Sequence, residues 1–220
     1  MRAAILAGGR LAGPRAARRH LRSVPLLICA DGGLRAARRL GLRPRVVLGD
    51  LDSAPAGLRA WAAARGARFI TYRVHKDKTD AELAVEFAVA EGVREIEFYG
   101  ALGGRLDHEL ANVALLLRAA SAGVAMRIID GAATAFLAGR RTVLPARVGD
   151  TVSLLALSRR VTGVTTKGLF YPLHRATLHE GSSLGVSNTV TGRPATVRRM
   201  AGDLLIIITR RRGTLLRNRS

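Results

Sequence analysis

The sequence has one cysteine, only three lysines and few aromatic side chains, and no apolar run approaches the ~20 residues that a membrane-spanning helix needs. A single thiol, Cys29, excludes an internal disulfide. It lies in the apolar run Leu26-Leu27-Ile28-Cys29-Ala30, the setting of a buried, inert side chain. The five histidines show no metal-ligand spacing. The stretch Met1 to Gly9 is too short and too weakly charged for a signal peptide and reads instead as a strand. These features point to a cytoplasmic protein with no membrane partner. Two nucleotide fingerprints are also missing: there is no Gly-x-x-x-x-Gly-Lys-Ser/Thr loop and no Gly-x-Gly-x-x-Gly.

Acidic residues are scarce as well, 16 against 36 basic ones, giving a formal charge of +20. Such a balance suits nucleic-acid binding. However, the positive charge is nearly all arginine, spread along the chain apart from Arg210-Arg211-Arg212, and aromatics for base stacking make up only 4%. Specific nucleic-acid binding is therefore not expected, although a basic surface would steer a polyanion such as ATP. With 48% hydrophobic residues in 220, the composition is that of a folded protein with room for one large domain or two small ones.

The hydrophobic pattern divides the chain. Apolar runs at 3–6, 26–30, 46–48, 69–72, 96–99 and 126–129 alternate with helical spacing, clearest at Leu110, Val113, Ala114 and Leu117. Thr79-Asp80-Ala81-Glu82 is a capping box that starts another helix. Strands alternating with helices predict a mostly parallel sheet flanked by helices, over residues 1–135. After about Ala138 the helical period disappears. Strands are predicted at 151–157, 161–165, 195–197 and 204–209, making 136–220 a smaller all-β sandwich or barrel. The fold class is α/β followed by all-β.

What the sequence does have is a set of aspartates in telling places. Asp31 ends the run 26–30 and precedes Gly32-Gly33. Asp50 and Asp52 follow 46–48, Asp77 and Asp80 come soon after 69–72, and Asp107 follows 96–99 through Gly103-Gly104-Arg105. Each sits beyond the carboxyl end of a strand, where open parallel sheets bind ligands. Any one alone reads as a helix cap or turn former. Together they imply a compensating cation, since two carboxylates ~4 Å apart repel by about 4 kcal/mol at an effective dielectric of 20. An all-oxygen set suits Mg2+ shared with substrate phosphates. Glycines beside the acids let backbone N–H groups approach phosphate oxygens, and Lys76, Lys78 and Arg105 could neutralise a polyphosphate.

These motifs, in order, resemble those of the thiamine pyrophosphokinase family, especially its bacterial members. The resemblance rests on Asp31-Gly32-Gly33, Gly49-Asp50-Leu51-Asp52-Ser53, Lys76-Asp77-Lys78-Thr79-Asp80 and Gly103-Gly104-Arg105-Leu106-Asp107-His108. It continues through Ser153-Leu154-Leu155, Gly168-Leu169-Phe170-Tyr171-Pro172-Leu173 and Gly181-Ser182-Ser183-Leu184-Gly185-Val186-Ser187-Asn188. The resemblance implies transfer of the β,γ-diphosphate of ATP to the hydroxyl of thiamine with release of AMP. It also implies a homodimer with active sites at the subunit interface. By it, Asp50, Asp52 and Asp80 bind magnesium. Asp31, Gly32, Gly33, Asp77, Lys78, Gly103, Gly104, Arg105 and Asp107 surround the nucleotide and acceptor. Ser187 and Asn188 help hold thiamine; Tyr171 or Phe170 could substitute for the tryptophan wall of eukaryotic relatives. Thr189 stands where bacterial relatives often carry an acid, and Trp61, in a predicted helix of the first domain, reads as core rather than as a wall for the thiamine ring. Two other readings stay open on the residues alone: a pyrophosphokinase for another alcohol such as a hydroxymethylpterin, and a basic nucleic-acid-binding module.

Overall fold

A computed structural model describes residues 1–50, 54–72 and 77–211. The chain separates into two compact units, Met1–Gly131 and Ala132–Ser220.

The first unit alternates strands and helices: β1 (Arg2–Leu6), α1 (Pro14–Leu21), β2 (Leu26–Ala30), α2 (Gly33–Arg39), β3 (Val46–Gly49), α3 (Ala56–Ala63), β4 (Arg68–Thr71), α4 (Asp80–Ala90), β5 (Glu95–Tyr99), α5 (Leu106–Ser121) and β6 (Ala125–Asp130). The six strands pair in parallel in the order β6-β5-β1-β2-β3-β4. All six predicted apolar runs are strands here. Period-two alternation gives the sheet two apolar faces. Ala4, Leu6, Leu27, Cys29 and Val47 meet buried residues of α1, α2 and α3. On the other side α4 packs over β1, β2 and β3, with α5 against α4 and β6. Trp61 packs half-buried against the first of these clusters, as expected of a core residue, with the Arg65 guanidinium 4.7 Å from its ring centre.

Helix α5 forms where its period predicted, but on a different face. Asn112, Leu115, Leu116 and Ala119 are buried, whereas Leu110 is 63% exposed and Ala114 is exposed. Three consecutive leucines, 115 to 117, let the apolar stripe be drawn two ways. Asn112 can be buried because its amide donates to the Ala101 carbonyl at 2.8 Å.

The second unit is all-β. Strands β7 (Ala133–Leu137), β14 (Leu204–Thr209), β9 (Thr151–Ala156) and β12 (Asn188–Thr189) form one antiparallel run in that order. Strands β11 (Ala176–His179), β10 (Arg160–Lys167), β13 (Thr196–Arg198) and β8 (Arg141–Val143) form another. One core joins them: Val152, Leu154, Leu204, Ile206 and Ile208 from the first, Val161, Val164, Leu178 and Val197 from the second. This is the predicted sandwich, with four strands the pattern did not show, β7, β8, β11 and β12. Among the described residues, no helix is long and apolar enough to cross a membrane.

Candidate active site

The strand order turns at β1. The chain runs outward from it through β2, β3 and β4, then returns to its other side as β5. The crevice beyond the carboxyl ends of β1 and β5 is thus the topological switch point, the preferred ligand position in open α/β sheets. A cavity of about 390 Å³ opens there, within the range of small-molecule sites. Its walls come from the loops after β1 (Gly8, Gly9), β2 (Asp31, Gly32) and β5 (Gly100, Ala101, Gly104, Arg105), and from the starts of α4 (Thr79, Asp80) and α5 (His108, Glu109, Asn112).

Two aspartates converge on one glycine. Gly49 has φ +147°, and a Cβ placed on it would lie 3.3 Å from the Asp31 Cβ and 3.4 Å from the Asp80 Oδ1. A side chain at this position would fill the space between the two acids, and Asp50 is the next residue along. Asp31 itself has φ +36°, a conformation uncommon for a residue with a side chain. Its N–H donates to the Leu48 carbonyl at 2.8 Å, which locks the turn to β3. Backbone held in this way concentrates at functional sites. Asp80 is placed by its helix. The Thr79 hydroxyl accepts the Glu82 N–H at 3.1 Å and so caps α4. The Glu82 carboxylate, the other half of the predicted box, lies 3.6 Å from the Arg118 Nε.

The remaining sequence-derived residues occupy varied places. Gly32 lines the cavity, but Gly33 is buried below it. A Cβ on Gly33 would sit 1.7 Å from the Leu6 carbonyl oxygen, so this glycine lets α2 close onto β1. The Gly103 and Gly104 N–H groups, expected to face phosphate, both donate to the Glu109 Oε1, at 2.9 and 2.8 Å. Arg105 is paired with Asp107, at 2.6 Å between Nη2 and Oδ2, and both are exposed. That hydrogen bond with the guanidinium holds the Asp107 carboxyl below the ordinary carboxylate range. Lys78 donates to both oxygens of Glu86 (2.8 and 2.9 Å), with Arg118 on the same carboxylate. The Lys78 hydrogen bond is the main cause that lowers the Glu86 pKa. Asp77 is exposed on the turn before α4. Asp50, Asp77, Lys78, Gly103 and Asp107 do not line the cavity among its described walls. Asp52 and Lys76 lie outside the described residues. Among those described, no group of three or more His, Cys, Asp or Glu side chains is gathered as a metal centre.

Sequence reasoning missed Arg35, which borders this cavity and also, with Arg38 and Arg39, a second hollow beside α3. Only its place in the helix that follows the Asp31 turn could have flagged it. In the second unit, Ser187 has φ +57° and its N–H donates to the Ser153 hydroxyl at 3.0 Å. Asn188 is buried, while Phe170 and Tyr171 are exposed.

Comparison with known proteins agrees along the chain. Residues 17–129 match the model of the thiamin pyrophosphokinase catalytic domain, and 141–202 that of the thiamin pyrophosphokinase vitamin B1 binding domain. The thiamine pyrophosphokinase of Bacillus subtilis is 28% identical over 184 residues, 83% of this chain and 86% of that protein. The thiamine pyrophosphokinase 1 of Oryza sativa subsp. japonica is 26% identical, over 75% and 72% of the two chains. Among solved structures, the thiamin pyrophosphokinase of Geobacillus thermodenitrificans superposes with a TM-score of 0.82 at 29% identity, covering 98% of this chain and all of that one. With a family model spanning more than half of it, the chain belongs to the thiamin pyrophosphokinase family.

Proposed function

We propose that the acidic crevice beyond β1, β2, β3 and β5 is where this chain carries out the reaction of its family. The chain is an ATP-dependent diphosphotransferase, a thiamine pyrophosphokinase, that moves the β,γ-diphosphate of ATP to the hydroxyl of thiamine and releases AMP. The observation that carries the site is the meeting of Asp31 and Asp80 over Gly49, one residue before Asp50. The match of 141–202 to a vitamin B1 binding domain favours thiamine over a pterin alcohol, and an acidic rim does not suit a nucleic-acid module.

The Asp80 Oδ1 beside Gly49 is a hard carboxylate oxygen of the kind Mg2+ takes, and Asp50, Asp80 and Asp52 are the residues that would hold the ion. Bound there, the ion supplies neutralisation of phosphate charge. Asp31 and Gly32 flank the nucleotide on the β2 side, with Gly33 supporting them from below. Gly104 and Arg105 wall the nucleotide from the β5 side, in a loop that Gly103 and Gly104 shape through their N–H groups on Glu109, and Lys78 acts from the margin. The acceptor oxygen attacks the β-phosphorus in line. The new O–P bond forms as the bond to the α-phosphate oxygen breaks, and AMP leaves. Arg105 offsets charge on the transferred group. Asp77 and Asp107 are the two carboxylates that could orient or deprotonate the hydroxyl, and Asp107 carries its pairing with Arg105 into that role.

Ser187, Asn188 and Tyr171 serve the thiamine side, within the second unit. We further propose a cytoplasmic homodimer in which each acidic crevice is completed by the second unit of the partner; a two-fold axis makes such sharing reciprocal. Incubation with ATP, Mg2+ and thiamine, followed by chromatography, tests the reaction. AMP is the expected nucleotide product, and ADP in its place refutes attack at the β-phosphorus.

A further inference from the structure

The side chain of Asn188 points inward. It is 3% exposed, and its amide is committed on both ends. Its Oδ1 accepts the N–H groups of Tyr171 (3.0 Å) and Thr189 (2.9 Å), and its Nδ2 donates to the Tyr171 carbonyl at 2.6 Å. The backbone explains why. Residues 168–171 run antiparallel to 188–191: Leu169 bridges Val190, the Phe170 N–H donates to the Thr189 carbonyl at 2.8 Å, and the Thr191 N–H to the Gly168 carbonyl at 2.9 Å. The Asn188 side chain extends this ladder by one residue, offering Tyr171 the acceptor and donor that a further strand residue would have supplied. Tyr171 also precedes Pro172, which restricts it to extended backbone.

The result is a fixed pair of aromatic rings on the surface. Phe170 and Tyr171 are 62% and 66% exposed, with ring centres 4.8 Å apart and planes at 89°. An edge-to-face pair held at its backbone is a preformed surface for a flat ring, and its faces favour a cationic one. Thiamine carries a permanent positive charge on one of its two aromatic rings. We propose that Asn188 is a positioning residue: it holds Tyr171 and Phe170 in place as the wall for the cationic ring of the acceptor, and does not itself touch the acceptor. This rests on the reading of thiamine as acceptor and changes the role expected of Asn188.

A double-mutant cycle on the full-length protein tests it, measuring thiamine binding by calorimetry together with the KM values for thiamine and ATP. Asn188→Ala and Tyr171→Ala should each weaken thiamine binding about tenfold, raise its KM more than they lower kcat, and leave the KM for ATP within about twofold. The double variant should bind thiamine as Tyr171→Ala does, because both changes remove one wall. Asn188→Asp keeps the acceptor and loses the donor, so it should fall between wild type and Asn188→Ala. It supplies the same cycle should Asn188→Ala fail to fold in a melting experiment. A double variant about a hundredfold weaker, the product of the two single effects, would mean that Asn188 binds the acceptor independently and overturns the proposal. So would a Tyr171→Ala protein with unchanged affinity. Failure of the unmodified protein to bind thiamine or form AMP refutes instead the functional reading beneath it.

Discussion

Removing the cap of α4 should cost activity far more than stability. The Thr79 hydroxyl is the acceptor for the Glu82 N–H, one of the otherwise unpartnered donors in the first turn. Thr79→Ala deletes it without opening a core cavity, since only a hydroxyl and a methyl are lost from a half-buried position. The loss is about 1 kcal/mol, which in a chain of this length lowers Tm by about 2–4 °C. Asp80 is the first residue of the helix, and its Oδ1 lies against Gly49. A frayed first turn displaces that carboxylate, and a displacement near 1 Å in a reacting centre costs about a hundredfold in rate. Turnover well below Tm should therefore fall by about one to two orders of magnitude. Thr79→Ser, which keeps the hydroxyl, should restore most of both quantities. The assays are urea unfolding and AMP release at saturating ATP. If Thr79→Ser lost as much activity as Thr79→Ala, or if Thr79→Ala fell in turnover only as far as its small loss of stability accounts for, the link from cap to carboxylate would be wrong.

Other perturbations address the rest of the site. Asp50→Asn and Asp80→Asn should each lower turnover by orders of magnitude while the circular dichroism spectrum is retained; near-normal turnover in both sinks their assignment to Mg2+. Arg35→Ala should raise the KM for ATP about five- to tenfold and leave AMP affinity unchanged, if the cavity it borders receives the polyphosphate as proposed; equal weakening of ATP and AMP would place it elsewhere on the nucleotide. Burial pushes the Cys29 thiol up to about 12, so the thiolate stays scarce at pH 8 and alkylation should occur only in denaturant; rapid labelling of the native protein contradicts the buried strand. Mixing equal amounts of Asp50→Asn with a Ser187→Ala, Asn188→Ala protein should restore about a quarter of wild-type activity if sites are shared reciprocally, whereas no recovery, with mixed dimers demonstrated, rejects the sharing.

The parallel strands were legible because burial on two faces writes a continuous apolar run, as in Leu26–Ala30 or Val46–Gly49. The Thr79 cap was legible because both partners lie within one helical turn. Strands β8, β11 and β12 were not, since two to four residues with at most one buried side chain carry no period. The same distinction holds in the site. Loops after strand ends gather at one rim by topology alone, which is why Asp31 and Asp80 could be anticipated as neighbours from opposite sides of β3. What could not be anticipated is pairing across space: Lys78 with Glu86, Gly103 and Gly104 with Glu109, and Asn188 with Tyr171. Residue type announces a donor or acceptor, but the fold decides which partner it meets first.

Those pairings alter the meaning of the composition. A chain with an excess of 20 positive charges suggests a surface ready for any polyanion. Around the crevice, however, cations come already matched to carboxylates: Arg105 with Asp107, Lys78 with Glu86, and Arg118 with both Glu82 and Glu86. Exposed pairs of this kind add little stability, yet they restrict where a guanidinium or ammonium can point. Arg105 held by two hydrogen bonds to Asp107 costs less to organise around a phosphate than a freely moving side chain would. The aspartates over Gly49 work in the opposite sense, since their negative charge repels the phosphates that the surrounding arginines attract. On the function proposed above, a polyphosphate would settle over them together with a cation: the long-range positive field brings ATP near, and the local acids would favour its metal-bound form.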